Sequence, residues 1–188
     1  IIMRNNKGFT LIEMITVLGV TALLSGLLLV YSRQGENFSL VLRARTKVIS
    51  DINRAKNLAI ATKDWNGQQT CGYGVYFNKN KNEYIIFADT SNDCEKSNHS
   101  YNANNNVEII PLPDKFEYIS SNINQVFFLP PDPTIYFDGE LATGKQAEIS
   151  FKLKDEYKGR GQETLGFKIF INSIGQVWGE EKFQKLNQ

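Results

Sequence analysis

The chain has 188 residues, and 21 Lys and Arg against 20 Asp and Glu leave a formal net charge of +1 at pH 7. That balance removes bulk electrostatics as a reason to expect a nucleic-acid partner. Two cysteines, Cys71 and Cys94, and one histidine, His99, are too few and too scattered for a structural zinc site, and no metal or other cofactor is expected.

Residues 1–8 read as a short basic leader carrying Arg4 and Lys7, with Ile1 and Ile2 upstream of the true start at Met3. From Phe9 to Tyr31 the chain is apolar, with one charged residue, Glu13. A run of this length suffices to cross a bilayer as a helix, which takes roughly 20 residues. An ionisable group in hydrocarbon costs on the order of 2.5–3.5 kcal/mol at the centre, less near an end, and such groups usually have a partner. No basic residue up to Tyr31 shares the helix face of Glu13. The obvious source of positive charge is a new N-terminus made by cutting between Gly8 and Phe9. A secretory signal peptide has an apolar core of roughly 7–15 residues and a small-residue cleavage site behind it, so this run is too long. A plain membrane anchor accounts for the length and for Arg4 and Lys7 on the cytoplasmic side, but not for Glu13.

Gly8-Phe9-Thr10-Leu11-Ile12-Glu13, after a basic leader and before an unbroken apolar helix, resembles the type IV prepilin signal. The resemblance implies that prepilin peptidase cleaves after Gly8 and N-methylates the amine of Phe9. Glu13 then pairs with that amine on a neighbouring subunit of a filament.

Polar residues 32–37 follow, and helical periodicity then returns. Val41, Ala44, Val48, Ile52, Ala55 and Ala59 recur at three- and four-residue steps, with Arg43, Lys47, Asp51 and Arg54 off that stripe. One long helix over about 9–62 is expected, lipidic over 9–31 and amphipathic over 32–63, with Gly35 as a weak point. The remainder, 64–188, reads as a β-rich head. Strands are expected at 73–77, 83–88, 107–110, 116–119, 126–129, 134–137, 147–153 and 165–172, with a short last one at 176–178. Pro130-Pro131, Asp138-Gly139, Gly159-Arg160-Gly161 and Ser173-Ile174-Gly175 supply the turns. The fold class is therefore α+β, a long N-terminal helix packed on an antiparallel β-sandwich.

Cys71 and Cys94 are either a disulfide or two free thiols. A head on the far side of a membrane favours the bridge, which stabilises by roughly 3 kcal/mol in the chain-entropy model. Residues 90–106 form the longest polar stretch and read as an exposed loop, either a partner surface or an insertion with no role. His99 lies in it and reads as solvated; a nucleophilic triad needs a base beside its nucleophile, and the one histidine of the sequence sits in this loop, so no enzyme is expected. Gly72-Tyr73-Gly74 and Gly159-Arg160-Gly161 border strands rather than a helix N-terminus, so neither is a phosphate loop. Asp89, Ser91, Asp93 and Glu95 echo the start of a calcium loop but lack its glycine and closing glutamate.

Cys71–Phe77, Ile135-Tyr136-Phe137-Asp138-Gly139 and the hairpin from Ile171 to Val177, following a long amphipathic helix, are similar to the H-type minor pseudopilins of type II secretion and the FimT/FimU-like minor pilins. The resemblance implies a low-abundance structural subunit at or near the tip of a short filament. It would rest as a single-pass protein in the inner membrane, head outside the cytoplasm, and then join other minor and major pseudopilins. The alternative is a minor type IV pilin for pilus assembly, adhesion or DNA uptake. Some DNA-uptake members carry an arginine-rich C-terminal hairpin, whereas here the matching stretch runs Gly175-Gln176-Val177-Trp178-Gly179-Glu180-Glu181.

Overall fold

A computed structural model describes residues 9–91, 93–157 and 164–184, with side chains of 28–34 and 182–184 left aside. The leader and the 159–161 turn lie outside the described residues. One helix, α1, runs from Leu11 to Ile60 and passes through Gly35 without interruption. The chain divides into two compact units, one ending at Ser39 and one beginning at Leu40.

In the first unit α1 is apolar on every side from Leu11 to Leu27, apart from Glu13 and the hydroxyl residues Thr16, Thr21 and Ser25. Leu11, Ile12, Met14, Ile15, Val17, Leu18, Val20, Leu23, Leu24 and Leu27 are all more than half exposed. Among the described residues no helix is long and apolar enough to cross a membrane. The described side chains of this stretch stop at Leu27, while the sequence stays apolar to Val30.

In the second unit α1 becomes one-sided. Val41, Ala44, Val48, Ile52, Ala55 and Ala59 are buried, as their spacing predicts, and the small residues among them let the helix sit close to the sheets. Two antiparallel sheets complete this unit. The six-stranded sheet has the order β3-β2-β1-β5-β6-β7. Its strands are β1 (Gly72–Asn78), β2 (Glu83–Asp89), β3 (Asn106–Pro111), β5 (Gln125–Leu129), β6 (Thr134–Phe137) and β7 (Glu140–Leu141). The four-stranded sheet, β10-β9-β8-β4, takes β4 (Phe116–Ser121), β8 (Gln146–Leu153), β9 (Thr164–Asn172) and β10 (Val177–Gln184). One core holds the helix stripe together with Tyr73, Val75, Tyr84, Ile86, Val126 and Phe128 of the larger sheet and Ile149, Phe151, Phe167 and Ile169 of the smaller. The α+β class is as expected.

Three details differ from the sequence expectation. Asp51, placed off the buried stripe, is itself 4% exposed, held by the Tyr84 hydroxyl and by Lys47. The last strand, expected to end near Trp178, continues to Gln184 because β9 offers a full-length ladder partner, Val177↔Ile171 through Gln184↔Thr164. Glu140–Leu141 adds a two-residue strand, β7, that pairs back on β6.

Each sheet edge is blunted, which limits pairing with a foreign strand. β3 skips Val107 in its ladder and ends in Pro111, β4 skips Ile119, and β7 is two residues long. On β10, Arg45 Nη1 donates to the Gly179 carbonyl and pairs with Glu181. A side chain at Gly179 would lie 2.8 Å from Arg45 Cδ, so glycine is what admits the arginine.

Candidate assembly site at the helix N-terminus

Thr10 caps α1, and the cap is reciprocal. The Thr10 N–H and hydroxyl donate to Glu13 Oε2 at 2.9 and 2.8 Å, and the Glu13 N–H donates to Thr10 Oγ1 at 3.3 Å. This is a capping box, in which a threonine and a glutamate three residues on satisfy backbone donors that the first turn leaves open. Sequence reasoning singled out Glu13 but missed Thr10 as its partner. The threonine–glutamate spacing ahead of an apolar run is the signal that identifies it.

Both bonds to the carboxylate fall on Oε2, so among the described residues Oε1 accepts none. Phe9 precedes the cap and is 84% exposed. Gly8, the expected residue before the cut, lies outside the described residues. Further along, Thr16 donates to the Glu13 carbonyl at 2.9 Å, Thr21 to Leu18 at 3.0 Å and Ser25 to Thr21 at 2.7 Å. Each hydroxyl from Thr10 to Ser25 is therefore satisfied within the helix, and what the segment presents outward is hydrocarbon with one carboxylate.

The other residues singled out by sequence gather in the head. Cys71 and Cys94 form a disulfide. His99 is not solvated; it is 6% exposed and its ring stacks on Phe127 at 4.9 Å between centroids. Its Nδ1 lies 3.5 Å from Asp89 Oδ2. Asp89 accepts from Ser91 and Ser97, and Asp93 pairs with Lys96 at 2.7 Å. Among the described residues no three His, Cys, Asp or Glu side chains gather as a metal site would require. Gly72 and Gly74 belong to β1, where a side chain on Gly74 would meet the Phe87 ring at 2.5 Å. Their role is to let aromatic rings lie against the backbone.

Residues 3–29 match the family model described as the prokaryotic N-terminal methylation motif. No curated protein and no solved structure matches the chain. Proteins with this motif are structural subunits, processed by prepilin peptidase and membrane-anchored until they assemble into pilin-type filaments. The methylation motif marks the chain as type IV pilin-like.

Proposed function

We propose that the protein is a minor pseudopilin, a structural subunit at or near the tip of a type II secretion pseudopilus. The observation that carries the reading is the state of Glu13: capped by Thr10 through one oxygen while, among the described residues, the other oxygen accepts no bond, on an otherwise hydrocarbon surface. Prepilin peptidase cuts between Gly8 and Phe9 and methylates the new amine. The helix over 9–31 rests in the inner membrane as a single span, head outside the cytoplasm. On assembly it leaves lipid for a bundle of like helices, and the Phe9 amine of an adjacent subunit reaches the free carboxylate oxygen. That amine is cationic at neutral pH, its ordinary pKa being about 7.7–8, so pairing removes the cost of an isolated anion in hydrocarbon.

The choice of a secretion pseudopilus rests on the head: a long amphipathic helix, two antiparallel sheets, and a C-terminal hairpin bearing Glu180 and Glu181 instead of arginines. Mass spectrometry of the membrane-extracted protein tests the processing step and should find a chain beginning at methyl-Phe9. Deleting the gene should block export of folded proteins across the outer membrane and leave retractile pili intact. The reverse pattern would move the protein to the minor type IV pilins.

A further inference from the structure

The outer face of the six-stranded sheet, turned away from α1, is aromatic. Tyr76 on β1, Phe87 on β2, Phe127 on β5 and Tyr136 on β6 lie on it, and Phe87 and Phe127 are fully buried. Residues 93–102, part of the longest polar stretch of the sequence, cover them.

Two rings from the segment are set into the face. His99 stacks on Phe127 and lies 4.4 Å from Tyr136, while Tyr101 stacks on Tyr76 at 4.2 Å and meets Phe87 edge-on at 5.5 Å. Polar side chains of the sheet hold the backbone down. Gln125 Oε1 accepts from the Tyr101 N–H at 2.7 Å and its Nε2 donates to the His99 carbonyl at 3.2 Å. His99 adopts φ +51, a left-handed conformation uncommon among non-glycine residues. The one covalent tie is Cys94, which is exposed, to Cys71, which is 3% exposed at the head of β1.

We propose that residues 93–102 are a redox-latched lid: opening the Cys71–Cys94 bond releases the segment from the aromatic face while the two-sheet core stays folded. The reductant is a dithiol. Its thiolate attacks the sulfur of Cys94, the accessible partner; the S–S bond breaks, and Cys71 leaves as a thiolate that takes up a proton. The second thiol of the reductant then attacks the mixed disulfide, releasing Cys94 as a thiol and leaving the reductant as a disulfide. The lid's remaining fastenings are hydrogen bonds and ring contacts, each weak in net terms, whereas the core beneath keeps all its own contacts. The inference does not depend on assembly into a filament.

Hydrogen exchange of the full chain in detergent micelles, oxidised and after treatment with dithiothreitol, tests it. Reduction should speed exchange of the lid amides, Tyr101 above all, by roughly a hundredfold and leave the β8–β9 ladder unchanged. Cys94→Ser should behave as the reduced protein does. His99→Ala with the bond intact should loosen the lid far less than reduction. Lid amides indifferent to reduction, β8–β9 amides exchanging in step with them, or a His99→Ala lid as open as the reduced one would each overturn the proposal.

Discussion

The hydroxyl of Tyr84 donates to Oδ2 of Asp51 across 2.6 Å, tying β2 to the helix inside the core. Tyr84 is 1% exposed and Asp51 4% exposed, so neither group has water as a substitute partner. Lys47 reaches Asp51 Oδ1 at 3.1 Å from the helix surface and supplies its counter-charge. Tyr84→Phe should cost about 1–3 kcal/mol in urea unfolding, because it strands a buried carboxylate oxygen. The same bond carries an alkaline signature. Burial, and next the Asp51 carboxylate, hold the Tyr84 phenol well above its ordinary value. A raised folded pKa means that its contribution is complete below about pH 10 and is lost as pH rises further, at about 1.4 kcal/mol per pH unit. Tyr84→Phe should flatten that alkaline limb by one phenol's worth. An unchanged limb would remove Tyr84 from the account.

Asp89 should give the opposite sign at the acid end. Burial raises its carboxyl, but hydrogen bonds from Ser97 and Ser91, with His99 beside it, outweigh burial and hold it below the ordinary aspartate value. A depressed folded pKa means that the stabilisation is present above the unfolded value near 3.9 and is lost as pH falls through the lower folded one. The groups facing Asp89 are Ser91, Ser97 and His99, and the Asp93–Lys96 pair lies on the same segment. Protection of the 93–102 amides should therefore persist to below about pH 4 and then fail before the core does. Asp89→Ala with the disulfide intact should lower that protection already at neutral pH, though far less than reduction does.

Gly74 tests how tightly the aromatic face is built. A Cβ there would lie 2.5 Å from Phe87 Cζ and 2.6 Å from the Val126 carbonyl oxygen. Gly74→Ala should cost about 1–3 kcal/mol, since one contact is backbone and cannot turn away. Gly19→Ala, with nothing within 4 Å, should leave thermal unfolding of the head unchanged. Equal midpoints for the two variants would contradict the packing described.

The helix stripe from Val41 to Ala59 was legible because a period near 3.6 needs only local sequence. β-strands with their own apolar alternation, such as Ala147–Leu153, were legible for the same kind of reason. Residues 93–102 were not, because their order comes from non-local partners. His99 and Tyr101 are single rings in a polar run, and only β5, β6 and β1 lying beneath them make those positions interior. Asp51 was misplaced on the same ground: its burial depends on Tyr84, thirty-three residues away in sequence. At the helix N-terminus the glutamate stood out as a charge in an apolar run, while Thr10 looked like any small polar residue.

Glu13 and Thr10 should separate processing from assembly. Under the proposed cut between Gly8 and Phe9, which acts on the backbone, Glu13→Val should still yield a mature chain beginning at Phe9. Incorporation into filaments should fall by at least about tenfold, because a valine offers nothing to a neighbouring amine and the carboxylate's cost in lipid, on the order of a few kcal/mol, no longer favours leaving it. Thr10→Val removes two of the three bonds in the cap, the hydroxyl donated to Oε2 and the oxygen that accepts the Glu13 N–H. It keeps the carboxylate, so incorporation should fall less than with Glu13→Val. Quantifying mature subunit in sheared filaments against that in membranes reads both effects. Wild-type incorporation of Glu13→Val would remove the charge pair from assembly. A Thr10→Val defect as deep as that of Glu13→Val would shift the weight from the pair to the cap.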